Sequence, residues 1–500
     1  MIRDKMKKFT NWFLLGMLLA PAAVAAPDPV NAETYARRRA AVMEKMGGQG
    51  MLILFSALPR RFTGDTLYRF RQENNLYYLT GVRQEDTVLV LMPANRTRRE
   101  NLFILSRDPS LEVWTGARLS AEQAREVSGI SNVYDRSEFD AFVESMLSGR
   151  SYSVNRYTSA DEFAEFFSQL KGGTAALFLL LEERPGLHGP LNREFELART
   201  VRERFPGISV HDSSDMFAGL RLVKRPEELD RIRRAIEITE QGLSNALGRL
   251  RPGVREHELQ AVIENQFLKD GAASGFPSII GSGPNATTLH YNENSRQVAD
   301  GELIVIDVGA EFDYYSADIT RTVPANGKFS PAQADIYRLV LQAQEAGMTM
   351  LLPGKTISDV HRRVVETLRT GLLRLGLITD AEGDQYRAFF MHWTSHWLGM
   401  DVHDVGDLAA PFQPGMVLTV EPGIYVRENL SDILGRDPAN RDWIEKMRPA
   451  FEKYRGIGVR IEDDVLITEG GYEHLSRRLP RRPEEVEATI RSTRAAADGR

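Results

Sequence analysis

Leu303-Ile-Val-Ile-Asp307-Val-Gly309 and Ser316-Ala-Asp318-Ile-Thr320 are two apolar segments that each carry one aspartate, and Glu311-Phe-Asp-Tyr-Tyr315 lies between them. The apolar residues predict two strands, and the intervening residues favour a hairpin turn. Adjacent antiparallel strands can aim both carboxylates at one point. The pair alone does not establish a site, because strand ends often carry aspartate as a turn or capping group.

Three further charged residues have similar apolar surroundings: His396 in Ser395-His-Trp-Leu398, Glu421 in Val417-Leu-Thr-Val-Glu-Pro-Gly423, and Glu462 in Val459-Arg-Ile-Glu-Asp-Asp-Val465. A carboxylate within a buried strand is energetically costly unless it is paired. Four carboxylates and one imidazole exceed what nearby basic residues can neutralise, so the pattern predicts a dinuclear metal centre. Because the chain contains no cysteine, the ligand atoms must be oxygen and nitrogen.

The overall composition is that of a soluble globular protein. With 500 residues the chain is too long for one typical core, so two domains are expected. The formal net charge is -6, and the Lys and Arg residues are dispersed rather than arranged in a basic stripe with aromatic residues. These features argue against nucleic acid as a partner and against an acidic polymer as a substrate.

The N-terminal sequence has the pattern of a cleavable secretory signal. Basic residues at positions 3, 5, 7 and 8 precede an apolar run from Trp12 to Ala20, and Ala23-Val-Ala25 fits the cleavage rule. The predicted signal peptide is therefore residues 1–25, and the mature protein is expected to be exported to the periplasm. A retained membrane anchor is the alternative, but the run is short for a membrane span. We expect no stable membrane span after cleavage.

The remaining chain divides into segments of different pattern. Strand-like runs alternate with helical patterns up to Leu220, which predicts an α/β domain with a partly parallel sheet. Amphipathic helices are then predicted from Pro226, from Arg255 and from Pro331, while residues 301–468 favour an antiparallel sheet. Residues 427–455 are expected to form a charged surface insertion. The predicted units are residues 1–25 (signal peptide), 26–220 (N-terminal domain), 221–480 (catalytic domain) and 481–500 (polar C-terminal tail).

Four of the nine histidines, His290, His392, His396 and His403, accompany the acidic positions. Any one of them, taken alone, is more often a packed or surface imidazole than a ligand. His392 and His396 could face together on a helix, as in zinc peptidases with two histidines four residues apart. The glutamate that such a site needs does not follow His392, and Trp393 and Gly399 suit a loop or strand better.

Together these segments resemble a known family, the pita-bread metallopeptidases, and within it the aminopeptidase P and prolidase branch. The resemblance extends from Glu33 to Glu487 and depends on five segments in the family's order. They are Ile306-Asp-Val-Gly309, Tyr315-Ser-Ala-Asp-Ile-Thr-Arg-Thr322, Ser395-His-Trp-Leu-Gly-Met-Asp-Val-His-Asp404, Thr419-Val-Glu-Pro-Gly-Ile-Tyr425 and Gly458-Val-Arg-Ile-Glu-Asp-Asp464. It implies an α/β N-terminal domain similar to those of creatinase and prolidase, followed by an α+β pita-bread catalytic domain with a curved, mostly antiparallel sheet.

The resemblance also implies roles for individual residues. Two divalent ions, usually manganese, with cobalt, zinc or magnesium possible, would be held by Asp307, Asp318, His396, Glu421 and Glu462. His290 and His403 would contact the substrate or the tetrahedral intermediate. His392 would contact the proline side, and Arg460 would orient the carboxylates.

Trp114 and Arg118 resemble a loop that aminopeptidase P offers to a neighbouring subunit, although strand packing explains Trp114 nearly as well. A homodimer or homotetramer is implied.

The expected activity is that of an Xaa-Pro aminopeptidase acting on peptides with proline at position 2. A hydroxide bridging the two metals would attack the scissile carbonyl, and Glu421 would carry a proton to the leaving proline nitrogen. Prolidase, which accepts Xaa-Pro dipeptides, is the nearest alternative. A pita-bread protein that only binds is more remote, since such relatives typically lose metal ligands and this chain has all five. Trp393, where relatives often carry a small residue, and the insertion at 427–455 leave the substrate length open.

Overall fold

The computed structural model describes residues 30–150, 160–181, 186, 188–497 and 499. The predicted signal peptide, residues 1–25, lies outside the described residues. Within the described ranges, no helix combines the length and the apolar character needed to cross a bilayer.

The N-terminal part of the chain forms a mixed six-stranded sheet with helices on its two faces. The strands are β1 (Met51–Phe55), β2 (Arg61–Thr63), β3 (Thr66–Leu67), β4 (Val88–Leu91), β5 (Glu100–Ile104), β6 (Asn132–Asp135), β7 (Ala176–Leu179) and β8 (Ser209–Asp212). The helices are α1 (Ala32–Lys45), α2 (Asn74–Thr80), α3 (Pro109–Thr115), α4 (Ala121–Ser128), α5 (Phe139–Leu147), α6 (Ala164–Gly172), α7 (Arg193–Arg204) and α8 (Ser214–Arg221).

The order of the sheet is β6-β5-β4-β1-β7-β8, with β2 and β3 forming a separate hairpin. Strand β1 pairs antiparallel with β4 and parallel with β7, so the predicted partly parallel α/β sheet is confirmed. Alternate residues of β1 enter different cores, because successive side chains of a strand point to opposite faces. Leu52 and Leu54 pack in the core that includes α1 and α2, whereas Ile53 packs in the core that includes α5 and α6.

The second part contains seven helices and eleven strands in the described ranges. The helices are α9 (Pro226–Arg249), α10 (Glu256–Lys269), α11 (Pro331–Met348), α12 (Ile357–Arg374), α13 (Leu430–Leu434), α14 (Arg441–Tyr454) and α15 (Pro483–Ala497). The strands are β9 (Ala273–Ser274), β10 (Ile279–Ser282), β11 (Leu303–Val308), β12 (Ala310–Phe312), β13 (Tyr315–Ser316), β14 (Ile319–Pro324), β15 (Val417–Val420), β16 (Gly423–Tyr425), β17 (Gly458–Arg460), β18 (Asp463–Thr468) and β19 (Gly471–His474).

Every pairing among the named strands of this second part is antiparallel, as the sequence predicted. In the β11–β14 pair Asp307 lies opposite Thr320, which places Asp318 at the entrance to β14. The intervening turn is completed by Asp313 and Tyr314, which both have positive φ. The Glu462 backbone N–H donates to the Thr320 carbonyl at 3.1 Å, and this bond connects the two halves of the strand system. The hairpin prediction is therefore confirmed.

Residues 427–455 require a correction, because they are not a surface insertion. Helix α14 buries Trp443, Met447 and Phe451, which recur every fourth residue and join the main core. The Trp443 indole N–H also donates to the Leu377 carbonyl at 3.0 Å. The charged residues of this segment occupy the outer face of a helix whose inner face is apolar.

The C-terminal segment, expected to be a polar helix with little apolar content, forms helix α15. Val486 and Ile490 are buried, and the Arg494 guanidinium donates to the Ala325 carbonyl at 2.7 Å. The described part of the tail is thus packed against the catalytic part of the chain.

Gly309 is a position where the hairpin between the two aspartates leaves no room for a side chain. A Cβ there would lie 1.8 Å from the Ala317 carbonyl oxygen. We expect Gly309→Ala to lower the free energy of unfolding by about 1–3 kcal/mol, because the backbone must shift. The measurement is a urea titration.

Gly470→Ala is the matched control, because a Cβ at this turn meets open space. Equal effects of the two substitutions on the free energy of unfolding would contradict the steric interpretation.

Candidate metal centre

Five predicted ligands come from strand ends that converge in the catalytic part of the chain. Asp307 lies on β11, Asp318 precedes β14, Glu421 follows β15, and Glu462 lies between β17 and β18. His396 comes from an irregular segment that is pinned beside β15, since the Thr419 N–H donates to the His396 carbonyl at 3.0 Å. Five residues distant in sequence are thereby brought together.

His396 lies at the centre of the cluster. Its Nε2 atom is 3.3 Å from Asp318 Oδ2, 3.6 Å from Glu421 Oε1 and 3.9 Å from Glu462 Oε1. The candidate ligand atoms of Asp318, His396 and Glu462 all lie within 4.8 Å of one another. This spacing suits side chains that share a cation.

The tautomer of His396 supports the same conclusion. Its Nδ1 atom lies 3.0 Å from the Trp397 carbonyl, which can only accept a hydrogen bond, so Nδ1 carries the proton. In the neutral imidazole, the Nε2 lone pair then faces carboxylate oxygens that are also acceptors. A metal ion between them resolves this conflict, and a backbone contact of this kind commonly orients a metal-bound histidine.

Unpartnered oxygens provide a second test of whether a metal fits. The Oδ1 atoms of Asp307 and Asp318 are buried and have no hydrogen-bond partner among the described residues. Buried carboxylate oxygens normally have partners, and oxygens without a protein partner are suited to bind a metal ion. Hard oxygen donors with one imidazole suit manganese, magnesium or cobalt, and zinc is compatible.

The pKa values of the carboxyl groups in the protein without metal indicate that the cluster favours a bound cation. Burial, followed by repulsion from Glu462, raises the pKa values of Asp318 and Glu421 well above their usual range. Burial and the Asp307 charge raise the pKa of Glu462 to about 7. Protons therefore compete with a metal for these three carboxylates.

A hydrogen-bonded chain of protein groups orients the carboxylates. The Arg460 guanidinium contacts Asp307 and donates to Thr320 Oγ1 at 3.1 Å. The Thr320 hydroxyl in turn donates to Glu462 Oε2 at 2.6 Å. Behind Asp318, the Asp464 carboxylate accepts the Asp318 backbone N–H at 3.1 Å. These contacts fix the positions of three carboxylates from the protein side.

His392 lies beside Glu421 and is held as a neutral imidazole. Its Nδ1–H donates to the Trp393 carbonyl at 2.8 Å, and its Nε2 accepts the Tyr425 hydroxyl at 3.0 Å. Burial, followed by the positive charge of Arg460, lowers the pKa of His392 to about 3. The Nδ1 atom is 3.6 Å from Glu421 Oε2.

The other two predicted histidines flank the cluster. The His403 ring lies 4.2 Å from the His396 ring, and partial burial, followed by the His396 charge, lowers the pKa of His403 to about 4. His290 follows a short 3-10 segment and is close enough to contribute to lowering the pKa values of both His392 and His403. The imidazoles of His392 and His403, which are neutral at pH 7, therefore accompany the carboxylates.

Comparisons with known proteins agree with this geometry. Residues 230–469 match metallopeptidase family M24, and residues 35–155 match the aminopeptidase P N-terminal domain. The Xaa-Pro aminopeptidase of Escherichia coli K12 is 35% identical over 476 residues, covering 93% of this chain and 99% of that protein. The chain belongs to metallopeptidase family M24. It lies in the aminopeptidase P and prolidase branch, and it is a metallo-aminopeptidase, for which the family implies divalent metal ions.

Other M24 proteins give the same result. The Xaa-Pro aminopeptidase of Haemophilus influenzae is 34% identical and covers 91% of this chain and 96% of its own length. The structure of E. coli aminopeptidase P with the inhibitor Pro-Leu has a TM-score of 0.77 and 33% identity, covering 93% of this chain and 99% of that chain. The structure of aminopeptidase PepP from Pseudomonas aeruginosa has a TM-score of 0.77 and 32% identity, covering 94% of this chain and 99% of that chain. The predicted pita-bread fold is confirmed.

Glu256 is a buried residue that the sequence analysis missed in this M24 site. Its Oε1 accepts the Ser282 N–H at 2.8 Å, and its Oε2 accepts the Tyr291 hydroxyl and the Arg296 N–H, each at 2.8 Å. One carboxylate thus ties together both ends of the segment that carries His290. Its position on an amphipathic helix made it look like an ordinary surface charge.

A clamp between the two parts of the chain holds the segment that carries His403. The Arg221 guanidinium donates to Asn75 Oδ1 at 2.9 Å and to Asp404 Oδ1 at 2.6 Å, and Lys224 Nζ donates to Asp404 Oδ2 at 3.0 Å. Arg71 donates to the Met400 carbonyl at 3.0 Å. The N-terminal domain therefore supports this end of the M24 site directly.

Trp114 is not among the side chains that gather at the cluster. It lies on α3 of the N-terminal domain and is 85% exposed, next to Val113, which is 80% exposed. Arg118 lies 3.7 Å from Glu85 in the same domain. Within one chain neither residue contacts the metal ligands, so the role that the resemblance implies for them would require a second subunit.

Metal-free protein offers a test of the carboxylate electrostatics. Because the pKa of Glu462 is raised to about 7, folding takes up a proton, and this contribution to stability is lost as pH rises from about 4.5 to 7. Glu462→Gln does not lose this part of its free energy of unfolding, because glutamine does not titrate. We expect metal-free Glu462→Gln to gain stability relative to metal-free wild type by on the order of 3 kcal/mol between pH 4.5 and 8.

Urea titrations across this pH range measure the effect. Adding Mn²⁺ should reverse the order of stability, because the wild-type carboxylate then binds a cation. A stability difference that is independent of pH in the metal-free proteins would contradict the shifted pKa.

Proposed function

We propose that the protein is a dinuclear-metal Xaa-Pro aminopeptidase, which hydrolyses the N-terminal peptide bond before proline. The observation that carries this proposal is the convergence of Asp307, Asp318, His396, Glu421 and Glu462, with neutral histidines on two sides. Full-length similarity to proteins named Xaa-Pro aminopeptidase supports the substrate class.

When bound, the two ions would supply a water-derived nucleophile and polarise the scissile carbonyl. Within the protein, Glu421 is suited to move the proton, because its two carboxylate oxygens lie 3.6 Å from His396 Nε2 and 3.6 Å from His392 Nδ1, between the cluster and the assigned proline side. We assign to Glu421 Oε2 the transfer of a proton to the departing proline nitrogen. This oxygen lies 3.6 Å from His392 Nδ1, so the transfer takes place on the His392 side of the cluster.

His290 and His403 are suited to donate hydrogen bonds as negative charge develops on the carbonyl oxygen. His403 is neutral at pH 7, since its pKa is lowered to about 4, and a neutral imidazole can donate from one nitrogen. The clamp through Asp404 and the anchor at Glu256 hold the segments that carry these two histidines. Such support keeps the donors in place before the reaction begins.

The proline side of the site is assigned to His392, which the buried Tyr425 and Arg460 hold in place. A bond to proline nitrogen lacks the N–H that general peptidases bind, so recognition must use the shape of the ring. Arg460 Nη1 donates to the Tyr425 hydroxyl at 3.1 Å, and Tyr425 donates to His392, which fixes the surface that the ring would meet.

Four finer features belong to the same proposal. We favour Mn²⁺ as the metal, because oxygen ligands dominate the site. We also propose a homodimer or homotetramer in which Trp114 reaches a neighbouring site, since its large exposed surface is unexplained within one chain. The N-terminal sequence supports cleavage after Ala25 and export to the periplasm.

Asp318→Asn tests the metal centre. An amide cannot supply the anionic oxygen, so we expect loss of bound metal and a decrease in kcat/KM of about a thousandfold. Metal content by mass spectrometry and release of the first residue are the two measurements. Asp313→Asn, on the same hairpin, is the control that should keep both. Full activity in metal-stripped wild type would refute the proposal.

Substrate length separates an aminopeptidase from a prolidase. We expect the Mn²⁺-loaded protein to release arginine from a longer peptide that begins Arg-Pro-Pro, because its full-length relatives are named Xaa-Pro aminopeptidases. Chromatography of the products, with the dipeptide Gly-Pro as the parallel substrate, measures this preference. Cleavage of the dipeptide alone would favour a prolidase instead.

A further inference from the structure

Trp393 is an exposed aromatic side chain beside the candidate metal centre. Trp393 is 52% exposed, and its neighbour Met391 is 38% exposed. The main chain at this point is fixed from both sides. The Trp393 carbonyl accepts the His392 ring N–H at 2.8 Å, and the Thr394 carbonyl accepts the Glu421 N–H at 2.8 Å. The exposed indole thus follows His392 directly in the chain and precedes the main-chain contact between Thr394 and Glu421 by one residue.

The Trp393 indole packs against a second aromatic ring, which is itself held in place. The His361 ring from α12 lies 4.6 Å from the Trp393 ring, and 5.8 Å from the buried Phe390 ring. His361 Nδ1 is held by the Thr394 hydroxyl at 2.9 Å. Burial lowers the pKa of His361 to about 4, so this support is uncharged at neutral pH. One side of Trp393 is therefore packed, and the exposed remainder faces solvent.

The direction of the substrate places a residue near this indole. An enzyme that removes one residue binds that residue on one side of the scissile bond. The rest of the bound peptide extends away from the bond on the other side. Glu421 Oε2, which we assigned to the leaving nitrogen, marks the start of that second side. His392 lies next to this oxygen, and Trp393 follows His392. Because an extended peptide advances about 3.3–3.6 Å per residue, the residue after proline arrives at this position.

We propose that Trp393, supported by His361 and bordered by Met391, forms a subsite for the third residue of the substrate, with a preference for proline or another apolar ring. This inference rests on the proposed Xaa-Pro activity. Proline at the second position already favours a polyproline II conformation, and grooves lined by aromatic residues bind such segments. Stacking on an indole is worth about threefold to tenfold in affinity.

A specificity ratio provides the test. Initial rates of glycine release from Gly-Pro-Pro-Ala and Gly-Pro-Gly-Ala are measured with the Mn²⁺-loaded full chain. Wild type should favour the first peptide by about threefold to tenfold in kcat/KM, mainly through KM. In Trp393→Ala the ratio should fall to near one, whereas Trp393→Phe should retain most of it.

Tyr472→Ala is the matched control, because it removes a 40% exposed aromatic side chain from a different position, on β19. It should keep the wild-type ratio. If Trp393→Ala also keeps that ratio, or if wild type shows no preference between the two peptides, the subsite proposal is overturned.

Binding of product-like peptides separates this proposal from the proposed function. Calorimetry measures Pro-Pro-Ala and Pro-Gly-Ala on Mn²⁺-loaded wild type and Trp393→Ala. If wild type binds Pro-Pro-Ala more tightly than Pro-Gly-Ala and Trp393→Ala does not, the subsite is supported. This holds even if the protein cleaves no Xaa-Pro bond, because absence of cleavage contradicts only the proposed function. Equal affinity of both peptides for wild type contradicts the subsite.

Discussion

The burial of four carboxylates around one imidazole is the constraint on which the catalytic part of this protein depends. Arg460 contributes one positive charge against four potential negative charges, and burial, followed by the remaining repulsion, raises the pKa values of Asp318, Glu421 and Glu462. A fold that needed only stability would replace such a cluster by apolar residues. We therefore infer that the acids brought together by the strands bind a cation. This agrees with the divalent metal ions that the chain's family implies.

Preorganisation of the ligands does not depend on the metal alone. Thr320 on β14 is bonded to both Arg460 and Glu462, so one hydroxyl couples the orientation of two groups on the segment that leads from β17 to β18. The register that places Asp307 opposite Thr320 also sets the separation of the two aspartates along the hairpin. Because these contacts belong to the strand system, the site can form with little reorganisation when ions bind. Precise geometry of this kind favours a hydrolytic role over simple ion storage.

Local patterns were sufficient to predict the hairpin of Asp307 and Asp318, the mixed N-terminal sheet and the helices α9, α10 and α11. Helix α14 was missed because its apolar residues are separated by many charges, and α12 because the surrounding region was interpreted as strands. The resemblance supplied roles for the histidines, which local pattern could not. Contacts such as Arg221 to Asp404, 183 residues apart, create a buried ion pair that no local sequence window reveals. Glu256 was missed for the same reason, since its partners extend to Arg296.

One irregular segment, residues 391–404, carries both His396 of the metal cluster and the exposed Trp393. At its C-terminal end, Asp404 is anchored by Arg221 and Lys224, and this anchor restrains His403. At its N-terminal end the main chain is equally fixed, but the Trp393 side chain extends into solvent. Substitution at an exposed position disturbs packing less than substitution at a buried one. Selectivity for the substrate can therefore change at Trp393 while the strands and clamps that hold the metal ligands remain intact.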